Sequence, residues 1–431
     1  MVLKCKKGVF MKYLRKSCVG MFVMALLVVL LSACGGGNGS GGGVVTTTPQ
    51  QNVAGTNPAN ALPAPAPEPT PELADDSRME LGANLDGIVN KQATIGAATR
   101  YSLAIKADGT LHSWGGGAWV GGNTAAILIP TPIVDNIVAI SAGNEHTMAI
   151  DSNGVLWGWG RNARGQIGDG TTTGRGEPVR IMDNITAVSA GRYHTMAIDS
   201  EGNLWGWGAN SDVQIRPGLG TTSPTPEQIM ENVAAVSAGA NHTAAITKDG
   251  VLWTWGGNRN GQLGNGTTEH GRYPEPVMEN VIAVNAGFRT TMAITADGAL
   301  WAWGTNIEGQ IGNGESGVDQ ITPVRIMENV IYVNSSSSRT MAITADGVLW
   351  GWGANHQGQL GDGTTESRFL PTRIKDNVVS VVSDEMHTLA VTADGVLWAW
   401  GRNRFAELGD GTTDDRLTPV RIMDGILLPS M

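Results

Sequence analysis

The sequence predicts an all-β protein, a seven-bladed β-propeller of four-stranded blades preceded by a signal peptide and a disordered tether. Three observations predict it. A Trp-Gly anchor recurs seven times, at Trp114, Trp159, Trp207, Trp255, Trp303, Trp352 and Trp400, at spacings of 45, 48, 48, 48, 49 and 48 residues. Within each copy the apolar residues alternate with a period of two rather than 3.6, which selects strands over helices. Glycine supplies 60 of the 431 residues and charged residues only 16%, a composition suited to short strands joined by tight turns.

The N-terminus reads as an address. Lys12, Arg15 and Lys16 form a basic region, residues 19–31 an apolar run too short for a confident membrane span, and Leu31-Ser32-Ala33-Cys34-Gly35 follows. Those residues resemble the bacterial lipobox, in which small residues admit the chain to the peptidase and the cysteine thiol takes the lipid. Residues 1–33 are therefore expected to be a lipoprotein signal peptide and Cys34 the lipidated residue. Its acyl chains would anchor the protein at a membrane surface without a transmembrane helix. Gly35 is not the aspartate that favours inner-membrane retention in enteric bacteria, so an exported position on the outer membrane or cell surface is expected.

Residues 34–80 form the tether. The stretch 35–43 is almost all glycine, a flexible coil, and 63–71 alternates proline with other residues, a stiffer spacer. Neither has the apolar periodicity needed to bury a core.

The repeats occupy 88–425. A full copy runs His146-Thr-Met-Ala-Ile-Asp-Ser-Asn-Gly-Val-Leu-Trp-Gly-Trp-Gly160. In this copy Ile137–Ala142 is expected to be the first strand and 147–151 the second. Asn153-Gly154 then suits a two-residue hairpin turn with positive φ at both positions. The third strand, 155–160, puts Trp157 and Trp159 on one face with Leu156 and Gly158 on the other. A long loop from Asn162 leads to a fourth strand near 178–182, where Pro178 indicates an edge. Such sheets cannot bury both faces alone. Set radially, the tryptophan face of one packs on the small-residue face of the next.

Charge and cysteine content exclude several classes. The whole chain carries −10, and loss of the six basic residues in the first 33 would leave −16, which disfavours nucleic-acid binding. Cys5 and Cys18 fall in the same removable segment, so Cys34 alone would remain and no internal disulfide or cysteine-based metal site is expected.

The string His242–Gly256, followed by Asn258-Arg-Asn-Gly-Gln262-Leu-Gly264, resembles the regulator of chromosome condensation repeat. The resemblance covers about 88–425 in seven copies and implies a seven-bladed propeller. It is less specific for function. Members include an exchange factor for the Ran GTPase, a plant ultraviolet-B photoreceptor and a secreted bacterial inhibitor of β-lactamases. An exported lipoprotein would not meet a nuclear GTPase, and the loop before the His-Thr pair has no tryptophan for light sensing. The inhibitor is the nearest analogy.

His146, His194, His242 and His387 share one repeat position, which Tyr101, Thr290 and Arg339 fill elsewhere. Equivalent positions in different blades stand around the axis, whereas zinc ligands must converge on one ion. These histidines are expected to fix the loop before the second strand. Asp169, Asn265, Asn313, Asp362 and Asp410 in the long loops offer one oxygen-bearing side chain each, far from a calcium shell, and read as turn residues. Met148, Met196, Met292 and Met341 follow strand alternation into the core. No nucleophile with a local base and no carboxylate pair stands out, and the Gly-rich loops recur as scaffold. No enzyme activity, cofactor or metal is expected.

Comparison of blade with blade points to a binding face. Between the first and second strands, two positions vary while their flanks repeat: Thr99-Arg100, Asn144-Glu145, Arg192-Tyr193, Ala240-Asn241, Phe288-Arg289, Ser337-Ser338 and Glu385-Met386. Symmetry sets all seven pairs on one face. Large apolar groups and arginines at turns are the residue types of interface hot spots. Partner contacts are thus expected at Arg100, Glu145, Arg192, Tyr193, Asn241, Phe288, Arg289, Glu385 and Met386, with the long loops of Asp169 and Asp362 on the opposite face. The expected function is a monomeric, lipid-anchored, surface-displayed module, inhibitory or adhesion-like, that binds an unidentified protein. A glycan or cell-wall binder is the alternative.

Overall fold

A computed structural model describes residues 93–116 and 125–429. The signal peptide, Cys34, the tether and Trp119 lie outside the described residues. Seven four-stranded antiparallel sheets span 95–134, 137–182, 185–230, 233–278, 281–327, 330–375 and 378–423, each with its strands in sequence order. They are called blades one to seven. In blade two the strands are Ile137–Ala142, His146–Asp151, Leu156–Gly160 and Arg175–Met182, close to the bounds expected from the pattern. The first strand of every blade lines the axis and the fourth, with its proline, forms the outer edge.

The hairpin differs from the expected two-residue turn. Only Gly154 has positive φ, 76°. The Asp151 N–H bonds to the Val155 carbonyl at 3.0 Å, and the Gly154 N–H bonds to the Asp151 carbonyl at 3.0 Å. The Asp151 carboxylate supports this turn by accepting the N–H groups of Asn153 and Val155 at 2.9 and 3.0 Å. Ser152 and Asn153 form an ordinary turn and the left-handed step falls to the glycine, the pattern of a three-residue loop with a glycine bulge.

Blades pack as expected. Trp207 of blade three is fully buried against Met148, Ile150 and Leu156 of blade two, and its Nε1–H donates to the Gln166 carbonyl at 2.9 Å. A Cβ on Gly168 would lie 2.6 Å from that nitrogen, so the loop can close over the indole only with glycine there. The same approach recurs at Gly264 on Trp303, Gly312 on Trp352, Gly361 on Trp400 and Gly409 on Trp114. Blade three carries Arg216 instead, and Trp255 of blade four bonds one residue further on, to the Ile215 carbonyl at 3.1 Å. The outer tryptophans are half-buried and bond within their own blade, Trp157 to Asp151 and Trp253 to Thr247.

Blade seven packs directly on blade one. Trp114 Nε1–H donates to the Glu407 carbonyl at 2.8 Å, and Ile95 shares a cluster with Leu389 and Leu397. The C-terminal residues complete the seam. In blades two to seven an Asn with φ near +60°, such as Asn136 at 63°, opens the first strand, and the next residue pairs with the end of the second, as Ile137 with Asp151. Blade one starts later, at Ile95, and the missing pairing comes from the other end of the chain. Gly425 (φ 72°) takes the Asn position and Ile426 bridges Lys106. The Leu427 N–H also donates to the Ile105 carbonyl at 2.9 Å.

Candidate functional site

In a four-stranded meander, the first-to-second and third-to-fourth connections emerge at one end and the hairpins at the other. The long loops therefore share the face of the variable pairs, which corrects the expectation that the loops of Asp169 and Asp362 lie opposite. Contacts join the two sets: Arg161 to Glu145, Asn241 Nδ2–H to Asp212 at 2.8 Å, and Arg402 to the Thr99 carbonyl at 3.1 Å. The true opposite face carries the hairpins and the blade-to-blade connections.

A cavity of about 360 Å³ runs along the axis, and Thr99, Asn144, Arg192, Ala240, Phe288, Ser337 and Glu385 line its loop end. Its wall is stitched between blades. Ser141, Ser189 and Ser237 hydroxyls accept the N–H groups of Ala190, Ala238 and Ala286 at 2.8–2.9 Å. Asn285 and Asn334 do the same for Ser335 and Ser383. Gly96 of blade one and Val382 of blade seven have no such group, so this stitch is missing on both sides of blade one.

Four of the expected contact residues form one cluster. The Arg192 guanidinium carbon lies 4.9 Å from the Tyr193 ring centroid and 4.7 Å from that of Phe288, two blades away. The Arg289 guanidinium carbon lies 5.5 Å from the Phe288 centroid. Ala240, between them in blade four, is small and 4% exposed, which lets the arginine cross. Backbone bonds lace the same loops, from Arg192 N–H to Gly239 O and from Ala240 N–H to Phe288 O. Arg192 Nε is buried with no hydrogen-bond partner.

The other candidates stand apart. Arg100 covers Phe405 at 4.8 Å. Phe405, 36% exposed in the long loop of blade seven, escaped the comparison of pairs because it lies in another loop; its only signal was an aromatic where the long loops of blades two to six have polar residues. Glu145 is held by Arg161 and Asn241 by Asp212. Glu385 and Met386 border a second hollow of about 320 Å³ with Ser337, His356, Arg402 and Arg404.

The shared histidine position attaches blade to blade as well as packing on the loop before the second strand, where the His146, His194 and His242 rings lie against Gly143, Gly191 and Gly239. His146, His194 and His242 are fully buried, with Nε2 2.9, 3.2 and 3.0 Å from the hydroxyls of Thr195, Thr243 and Thr291 in the next blade. Each hydroxyl gives its own proton to a loop carbonyl, Gln166, Gln214 or Gln262, so Nε2 must be the donor to it. Nδ1 is left without a partner in all three, which assigns neutral rings. Burial holds His146 and His242 at a pKa of about 4, and burial with its two histidine neighbours holds His194 at about 3.

Blade seven varies this device. His387 Nε2 lies 2.8 Å from Ser102 Oγ of blade one, and Nδ1 lies 3.0 Å from Asp384. Asp384 stands where blades two to five have glycine. This Ser-His-Asp array joins residues far apart in sequence, so no local motif announced it. Its hydroxyl is sealed and already donates to the Glu407 carbonyl at 2.7 Å, which makes it a clamp rather than a nucleophile. Burial works to raise the Asp384 pKa, but the His387 ring and the N–H groups of His387 and Met386 outweigh it and hold it at about 2. The Arg339 guanidinium reaches Thr388 at 3.0 Å and the His387 carbonyl at 2.6 Å.

The long loops are fastened internally. Asn162 is buried, accepts the Ile167 N–H and donates to Asp169 and Thr171. Asp169 also takes Arg175 and the Thr171 hydroxyl. Its oxygens serve the turn.

The sequence matches the RCC1-like domain over residues 232–428. It matches the regulator of chromosome condensation (RCC1) repeat at 153–198 and 201–246, and in a second form at 137–166 and 185–214. No curated protein matches the chain significantly. Among solved structures, Prp20p of Saccharomyces cerevisiae is 20% identical over 79% of this chain and 89% of its own, with TM-score 0.67. Yeast RCC1 (Prp20) bound to Kap60 is 21% identical over 76% and 85%, TM-score 0.66. Human WBSCR16 is 22% identical over 69% and 85%, TM-score 0.62. At these identities the likeness is one of fold.

Proposed function

The chain belongs to the regulator of chromosome condensation repeat family, and from that premise we propose that it is a lipid-anchored propeller displayed on the bacterial envelope that binds a protein through its loop face. The observation that carries the reading is the Tyr193–Arg192–Phe288–Arg289 stack at the rim of the axial cavity. These residues occupy positions that the repeat leaves free, so the fold does not explain them. Aromatic and arginine side chains packed on one another are rigid before binding, and rigid anchors lose little entropy on association. Solved relatives are described as bound to Kap60, or by their binding to Gsp1p and histones, so proteins are the partners met on this fold. The glycan reading is weaker, because the Tyr193 and Phe288 rings already carry guanidinium groups.

Anchoring at Cys34 belongs to the same proposal. Cys34→Ser should abolish acyl labelling and leave an unprocessed precursor, and normal maturation of that variant would contradict it. For binding, the test is recovery of envelope and secreted proteins on the full chain, compared with Tyr193→Ala/Phe288→Ala.

A further inference from the structure

The described arginines differ in how they are satisfied, and on the loop side Arg161, Arg175, Arg216, Arg368, Arg402 and Arg416 are ion-paired. On the hairpin face Arg180, Arg325, Arg373 and Arg421 each pair with the acid three residues on: Asp183, Glu328, Asp376 and Asp424. On the loop side of blades one to five, Arg100, Arg164, Arg192, Arg259, Arg272 and Arg289 make no ion pair or side-chain hydrogen bond among the described residues. The chain has 39 acidic against 29 basic residues, so carboxylates are not in short supply; they are absent from these positions.

Arg192 is the most demanding of the six. Its Nε is out of water with no acceptor, and a buried donor left unpaired is destabilising. Two rings hold the group in place. A guanidinium stacked on a ring keeps its N–H groups in its own plane, free for an acceptor arriving edge-on, and a carboxylate matches that fork with two parallel bonds.

Resting on the proposed binding face, we propose that the partner is an acidic protein segment whose carboxylates meet Arg192 and Arg289 while its apolar side chains cover Tyr193 and Phe288. A nucleic acid or sulfated polysaccharide would also offer anions. The net charge of −10 repels a long polyanion, and the free arginines are spread over five blades and interleaved with aromatic rings. That pattern fits a few discrete carboxylates set among apolar groups.

A random peptide library displayed on phage and panned against the full chain tests this. The expected winners combine Asp or Glu with apolar residues. As synthetic peptides they should lose at least tenfold in affinity on Arg192→Gln/Arg289→Gln, lose affinity with added salt, and ignore Arg373→Gln on the hairpin face. Winners without acid enrichment that nevertheless need Tyr193 and Phe288 would overturn the acidic partner and leave the binding face standing. Winners that bind Arg192→Gln/Arg289→Gln and Tyr193→Ala/Phe288→Ala as tightly as the unaltered chain would overturn both. Heparin or duplex DNA binding more tightly than any peptide, through the same arginines, would also overturn the acidic-protein proposal.

Discussion

Arg192 in blade three and Phe288 in blade five are stacked at 4.7 Å, across the single small residue Ala240. The stack makes neither side chain a freely exposed turn residue. Truncating Phe288 to alanine should cost about 1 kcal/mol of stability, since it removes cation–π contacts of roughly 0.5–1 kcal/mol and a half-buried ring. Chemical denaturation checks it. A loss of about 4 kcal/mol would mean that the ring is a core element.

The inner tryptophans should be far more costly. Trp303 is fully buried and bonded to the Gln262 carbonyl at 3.0 Å, so Trp303→Ala should lose about 3–5 kcal/mol. Trp301, half-buried and bonded within its own blade at Thr295, should cost less. Equal losses at the two sites would contradict the packing described.

Ring closure should depend on the last residues. Ile426 is 2% exposed and pairs with Lys106, whereas Leu428 is 42% exposed. Ile426→Ala should therefore destabilise by about 2–5 kcal/mol and Leu428→Ala by under about 0.5 kcal/mol. Hydrogen exchange at Ala107 and Leu427, whose N–H groups make the seam bonds, should rise in the first variant. Unchanged protection there would show that the C-terminal pairing does not hold the seam.

Acid should loosen the blade interfaces. His146, His194 and His242 have folded pKa values of about 3–4, below the ordinary 6.5. Between those limits the unfolded chain binds more protons than the folded one. Stability thus falls as pH drops below about 6.5 and continues to fall to about 3–4. Replacing His194 by Gln, which keeps an N–H donor and cannot titrate in this range, should flatten the pH dependence of the denaturation midpoint. An equally steep dependence in His194→Gln would place the acid sensitivity elsewhere.

The fold was legible because one unit repeats. The spacing of the Trp-Gly pairs fixed the blade count, alternation fixed the strands, and glycines stand where an indole or a positive φ leaves no room for a side chain. The hairpin type was misread because the loop holds one residue more than the Asn-Gly pair, so that only the glycine takes a positive φ. The long loops were set on the wrong face because strand direction through the meander was not followed. What the repeat could not reveal is the contacts peculiar to one pair of blades. The Arg192–Phe288 stack, the Ser102–His387–Asp384 clamp and the pairing of Ile426 with Lys106 each link residues that lie 96 to more than 300 positions apart.

The most direct measurement for the central claim compares two variants on opposite faces. Envelope and secreted proteins retained by the full chain are quantified beside Tyr193→Ala/Phe288→Ala/Arg289→Ala and, as the control, Asp249→Ala/Glu279→Ala on the hairpin face. A partner retained by the unaltered chain and the control, and lost from the loop-face variant by roughly 2 kcal/mol or more in affinity, is the predicted result. A partner indifferent to the loop-face changes but lost on altering Asp249 and Glu279 would contradict the account.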